Sequence, residues 1–547
     1  MKATSGFFIV LMSFLPFVMN AQEIANPYGL TTQVKTKYGT LEGTFDTRTK
    51  IASFKGVPFA LPPVGALRWR EPMDPKPWSG VLQAKKFGPK AIQAPLFGDM
   101  GFRSNGMSED CLYLNIWSPN PKSTAKLPVL VYFYGGGFMA GDGSEPRYDG
   151  EVIAQKGIVT VTVNYRLGLL GFFSHPELTK ESPHKASGNQ GLLDQYASLK
   201  WVKENIENFG GDPNRVTIAG ESAGSMSVSA QMASPLSKNL IHGAVGESGA
   251  WIGSGLGPVT LKDAEKVGVT FGEKAGAKSL KELRDIPTLD LYQKMLEPGM
   301  PRFSACIDGY FISKTLPEIF ANKEQAMVPL LLGWNSEEMN YKSMTKGQPI
   351  TTENYAAAVK DLYKENADKI LALYPGKSAE EAEQSATDLA GDRFIGFSTW
   401  KWFDMHRKNS QNPVYRYYFA KPRPEMIVKG VQAALAGGVV KADPNAPKQA
   451  APKGAVHSAD IEYFMGNLST NLTYGWTPDD HKTSKDMQDY LANFIKTGNP
   501  NGGKLTNWPA SGQEAQPEYM ILDANPRVVK GTKDARYELL DSIVFKK

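Results

Sequence analysis

From about residue 128 onward, short apolar runs alternate with longer segments of helical period. VLVYFY (129–134) and IVTVTVNY (158–165) are β-branched, aromatic and largely apolar, the pattern of parallel strands covered on both faces. RVTIAG (215–220), VPLLLGW (328–334) and YRYYFA (415–420) continue the series. Before the third run, Leu192, Tyr196, Leu199, Val202, Ile206 and Phe209 recur at helical spacing and predict one buried helix face. Gly210 and Gly211 suit its C-terminal cap, and Asp212-Pro213 the exit turn. Such alternation predicts an α/β fold with a mostly parallel central sheet flanked by helices.

The first 120 residues differ. TKYGTLEGTF and ASFKGVPFALPPVGALRW mix glycine, proline and aromatics, and predict a small N-terminal antiparallel sheet with ordered loops. Residues 421–456 break the pattern again, being rich in Ala, Pro and Lys with little period. A loop of that length is read as a lid or a flexible insertion. No repeat or linker divides the rest, so residues 22–547 are read as a single catalytic domain. Ahead of it, Lys2, an apolar stretch over 7–19 and Ala21 before Gln22 form the pattern of a signal peptide over residues 1–21. Export, periplasmic or secreted, is the expectation. That stretch falls short of the roughly 20 residues a spanning helix needs, and no later segment reaches it, so no membrane span is expected.

Composition narrows the picture. At 547 residues and 41% hydrophobic, the chain has material for a large core. The formal charge of +5 is small and spread out, so nucleic acid is not an expected partner. A monomer is expected. Export permits a disulfide between Cys111 and Cys306, but two buried thiols fit equally well.

The chemistry concentrates in AGESAGS (219–225), which contains G-x-S-x-G around Ser222. The motif follows an apolar strand and precedes SMSVSAQMAS, a plausible helix, as a nucleophile elbow requires. YGGGFMAG (134–141) follows another strand. Its glycines let backbone N–H groups approach a ligand, which makes Gly136 and Gly137, with Ala223, a candidate oxyanion hole. No G-K-[ST] follows, which argues against a phosphate cradle. A serine needs a base, and in this chain order the base lies downstream. Of the six histidines, His406 reads as structural, His481 as solvent-facing, and His457, in a loop entering an amphipathic segment, as the base. The acid should follow a strand between them. PLLLGWNSEE, with Glu337 and Glu338, is such a place.

These stretches resemble the type B carboxylesterases, the α/β-hydrolase group that includes bacterial para-nitrobenzyl esterases and the cholinesterases. The resemblance runs from about residue 33 to the C-terminus, through FKGVPFALPPVGALRW, MSEDCLYLNIW, YGGGF, NYRLGLLGF, GAVHSADIEYF and NFIKTGNPN. It implies an α/β-hydrolase fold, with Ser222 as nucleophile, His457 as base, and Gly136, Gly137 and Ala223 as oxyanion donors. Glu221 and Ser248 fall beside the triad. The family's acid stands five residues after the strand-ending glycine, which gives Glu338, with Met339 where the family has glycine. Glu337 is then read as a solvated loop acid, since adjacent side chains of an extended segment point to opposite sides. Ala91 stands where the family often pairs a cysteine with Cys111, so Cys111 is expected to be a free thiol. The tryptophan with which cholinesterases bind choline has no counterpart, which argues against choline esters.

The function so implied is serine hydrolysis of a carboxylic ester of small-molecule size, through a Ser-His-Glu triad and an acyl-enzyme, with no metal or organic cofactor. A related acyl bond (carbamate, lactone or amide) is the nearer alternative. A non-catalytic adhesion protein of the same fold is the more distant one.

Overall fold

The computed structural model describes residues 29–97, 100–121, 124–253, 257–434, 438–442 and 452–545. The leader read over residues 1–21 lies outside them. Strands β1 (Gly29–Lys35), β2 (Thr40–Asp46) and β3 (Ala52–Pro58) pair antiparallel, as their turn-rich sequence predicts, and β3 pairs antiparallel with β4 (Tyr113–Ser118). The same sheet continues through β5 (Leu127–Phe133), β6 (Val159–Val163), β7 (Gly211–Glu221), β8 (Gly243–Glu247), β9 (Leu330–Asn335), β10 (Val414–Phe419), β11 (Glu518–Leu522) and β12 (Arg527–Lys530). Their spatial order is β1-β2-β3-β4-β6-β5-β7-β8-β9-β10-β11-β12, with Val81–Gln83 beside β2. Every pair from β6 to β11 is parallel.

The apolar runs are apolar because helices cover both faces. All of β6 and all of β9 are buried. Helix α1 (Gln190–Asn205) follows the predicted period, passes into a tighter turn to Phe209, and is capped by Gly210 at φ 82°. Asp212-Pro213 is not an exit turn. The strand already begins at Gly211, opposite Leu127, and a register irregularity before Val216 accommodates the proline. Helix α2 (Ala223–Ala233) is buried along its whole length despite its serines. Ser225, Ser227 and Ser229 each donate a hydroxyl to a backbone carbonyl, which removes the cost of burying them.

Register decides what the sheet presents at its C-terminal edge. Phe133 lies opposite Gly220, Gly220 opposite Gly246, and Gly246 opposite Leu332. Four neighbouring strands therefore end nearly level, and the residues that follow them emerge side by side, where open α/β sheets place their ligands. The 421–456 stretch starts anchored, with Lys421 Nζ 2.8 Å from Asp480. It carries a hairpin of Val431–Ala433 and Val439–Lys441. Cys111 and Cys306 are buried free thiols. No helix of the described residues is long and apolar enough to cross a membrane.

Candidate active site

Strand β7 ends at Glu221 and α2 begins at Ala223, which leaves Ser222 alone in the turn. Its backbone sits at φ 56° and ψ −118°, a strained conformation for a residue with a side chain. The surroundings enforce it. The Ser222 N–H donates to the Glu247 carbonyl at 2.8 Å, and the Ser222 carbonyl accepts from the Met226 N–H at 2.9 Å. On the other side, a Cβ on Gly224 would stand 2.0 Å from the Phe133 carbonyl oxygen, so only glycine lets the helix start this close to β5. The half-buried serine thus stands at the N-terminus of α2, where unpaired N–H groups and the helix dipole favour negative charge.

Phe133 is also the last residue of β5, so the glycine run 135–137 leaves the sheet beside this turn. A Cβ on Gly135 would lie 3.2 Å from the Ser222 Cβ. Gly136 has φ 104°, and its carbonyl accepts from the Met139 and Ala140 N–H groups at 3.1 Å, a tight turn open to glycine. The N–H groups of Gly136 and Gly137 donate to no oxygen among the described residues. Ala223, as the first residue of α2, has an N–H without an intrahelical partner. The glycine run and the start of α2 thus lie on either side of the Ser222 turn, where the oxyanion donors are expected.

Glu338 lies three residues past the end of β9 and is 2% exposed. Its Oε1 accepts from the Asn335 N–H at 2.6 Å and the Ser248 hydroxyl at 2.5 Å. Its Oε2 is 2.5 Å from His457 Nδ1. Met339 has no positive φ, so this turn does not need the family's glycine. Glu337 departs from expectation. It is half-buried rather than solvated, because it pins the histidine loop. Its N–H donates to the Ala455 carbonyl at 2.8 Å, and its carboxylate accepts the Lys453 N–H at 3.0 Å. The other ring nitrogen of His457, Nε2, lies 3.2 Å from Glu221 Oε1.

His457 therefore sits between two carboxylates. Burial works against its charged form, but Glu221 and Glu338 outweigh burial and raise its pKa to about 9. Burial also raises Glu221 to about 8, against the pull of His457. The charged forms of the two groups favour one another across this 3.2 Å contact, while burial disfavours both. Behind them Glu247, paired in register with Glu221, is pushed well up by burial, by Asp460 and by Glu221.

The sequence reading missed Asn335 and Asp460. Asn335 Nδ2 donates to the Val456 carbonyl at 2.8 Å and to Asp460 Oδ1 at 3.1 Å, and the Tyr417 hydroxyl donates to Asp460 Oδ2 at 2.8 Å. The available signal for Asp460 was an acid three residues past His457, beside Ala459 and Ile461. His406 is buried, with Nε2 2.9 Å from the Val328 carbonyl and its pKa lowered to about 4 by burial, and His481 is exposed. Both stand apart from the site, as expected.

Comparison with known proteins identifies the family and the fold. The model of the carboxylesterase family matches residues 30–540. A fumonisin B1 esterase of Sphingopyxis macrogoltabida is 34% identical over 497 residues, covering 87% of this chain and 83% of that protein. An acylcarnitine hydrolase of Mus musculus is 32% identical, covering 98% and 94%. Among solved structures, a PNB esterase superposes with a TM-score of 0.76 at 30% identity, covering 93% of this chain and 99% of its own.

Proposed function

Since the chain belongs to the carboxylesterase family, has the α/β-hydrolase fold and hydrolyses carboxylic esters, we propose that Ser222, His457 and Glu338 are the triad that carries the reaction. The observation that supports this most directly is the 2.5 Å contact between His457 Nδ1 and Glu338 Oε2, beside a strained serine at a helix N-terminus.

In this reading Ser222 Oγ attacks the ester carbonyl carbon while His457 Nε2 takes its proton. The N–H groups of Gly136, Gly137 and Ala223 receive the oxyanion, each such donor lowering the barrier by roughly 2.7–4 kcal/mol. His457 returns the proton to the departing alkoxide oxygen and the acyl-enzyme remains. Water then attacks the acyl carbon, again losing its proton to Nε2, and the acid leaves as Ser222 is restored. Glu338 fixes the imidazole tautomer and balances the imidazolium. Ser248 and Asn335 fix Glu338, and Glu221, 3.2 Å from Nε2, stabilises the imidazolium when it is charged. No step calls for a metal or an organic cofactor.

The test is covalent labelling with an active-site organophosphonate. Wild type is expected to take up one equivalent, and Ser222→Ala none, with turnover lost and the circular dichroism unchanged. Full ester turnover by a folded Ser222→Ala protein overturns the assignment. Relatives named for fumonisin B1, acylcarnitine and pyrethroids differ in their substrates, so the ester accepted here is best sought with a panel varying both acyl and alcohol parts. Residues 1–21 we read as an export signal. Sequencing of the mature N-terminus should return Gln22 first.

A further inference from the structure

Helices α3 (Ala379–Gly391) and α4 (Phe397–Asn409) are joined by a π-helical turn, Asp392–Gly396. A π-turn is wider and less favourable than the α-helix it interrupts, and it persists where neighbours hold it. Here the holding is explicit. Asp392 is 6% exposed and accepts the hydroxyls of Tyr374 and Tyr537, each at 2.8 Å. The turn bears on two members of the triad at once. A Cβ on Gly391 would stand 3.3 Å from the Glu338 Cβ, and the Phe394 ring lies 5.1 Å from the His457 ring at 71°, an edge contact.

His457 needs such a contact. Its two nitrogens face carboxylates, Glu338 on one side and Glu221 on the other. A tilt of the ring changes the direction in which Nε2 points, and with it the reach of Nε2 toward Ser222. The carboxylates hold the ring at its two nitrogens, and the Phe394 ring meets the imidazole as a third contact. Phe394 comes from outside that pair and removes the space.

We propose that Phe394 is a positioning residue for His457: it blocks the tilt of the imidazole, and the π-turn clamped by Asp392 sets where its ring stands. The turn type matters because one residue fewer would rotate Phe394 about 100° away from His457. The inference rests on the triad reading above.

Phe394→Ala and Phe394→Tyr are to be compared with wild type on a small ester, for which the pocket wall matters least. For Phe394→Ala, kcat is expected to fall roughly 10- to 100-fold, the scale of an ångström of misplacement, with KM little changed. The downfield proton resonance of the His457–Glu338 bond should broaden as the ring moves. Phe394→Tyr, which keeps the ring, should restore both. Phe394→Leu serves if the alanine variant does not fold, and the same losses are expected from it. The pair Tyr374→Phe and Tyr537→Phe, which releases the clamp, should lower kcat in the same direction. Wild-type kcat and an unbroadened resonance in the alanine or leucine variant overturn the proposal, as does a loss confined to KM. Organophosphonate uptake by the same samples separates the two readings. Labelling that survives Ser222→Ala removes the triad itself, whereas labelling that depends on Ser222 beside a normal Phe394 variant removes only this inference.

Discussion

Glu337 and Val456 form an isolated parallel bridge, one residue ahead of Glu338 and His457 respectively. The acid and the base lie 119 positions apart in the chain, and this bridge brings them level. The Glu337 N–H to Ala455 carbonyl bond closes one side, and the Ala455 N–H to Ser336 Oγ bond, at 2.8 Å, closes the other.

Parallel glutamine variants separate the neighbours. Glu338→Gln removes the charge that balances the imidazolium and is expected to lower kcat by roughly 10³–10⁴-fold. Glu337→Gln keeps the backbone bridge and should stay close to wild type. Steady-state kinetics on both proteins checks this, and the reverse order would move the acid one residue back.

The pH dependence follows from Glu221. Attack needs a neutral Nε2, and the pKa of His457 is raised to about 9, so kcat/KM should still be climbing above pH 7. Glu221→Gln removes a negative charge that favours the imidazolium. The pKa then falls, neutral imidazole is present at lower pH, and the acidic limb of kcat/KM moves down by about one unit or more. An unmoved limb in the variant would show that Glu221 does not act on His457.

Gly224→Ala tests the elbow. The new Cβ meets the Phe133 carbonyl oxygen, a backbone atom of a central strand that cannot give way. A loss of about 3 kcal/mol in urea unfolding is expected, together with loss of esterase turnover. A stable, active Gly224→Ala protein would mean the turn is looser than described.

Trp251 packs against Phe138, the residue after the glycine run, with ring centroids 5.0 Å apart, and also lines a cavity of about 540 Å³ with Leu316, Phe397 and Phe545. Trp251→Ala is expected to raise kcat/KM for long acyl chains relative to acetate, because removing the indole extends this cavity toward Phe138 and the glycine run. An unchanged ratio across the acyl series would place the acyl group elsewhere.

What was legible in the chain and what was not divide along a physical line. Strands buried on both faces must be apolar throughout, so β5, β6, β7, β9 and β10 could be read from their runs, whereas β8, five residues with two glycines and a glutamate, has no such run. The elbow could be read because Gly224 and the residues around it satisfy a local steric demand. The role of Glu337 could not, because it depends on a backbone partner more than a hundred residues away. Phe394 was hidden for another reason: a π-turn shifts a helix face by one residue, and no period marks it. The strand that absorbs Asp212-Pro213 was misread as a turn because a register slip is a property of two strands together.

Ser248 repeats the backbone of Ser222. Both have φ 56°, and each sends its N–H to the strand beside it, Ser222 to Glu247 and Ser248 to Gly333, at 2.8 Å. The strand that carries the nucleophile and the strand that leads to the acid are thus two sheet spacings apart, roughly 9.5 Å, a distance set by backbone pairing and not by any side chain. The sheet serves as a ruler. Its pitch is the same whatever residues fill it, so the chain has only to specify where each strand stops, and one imidazole can span the gap.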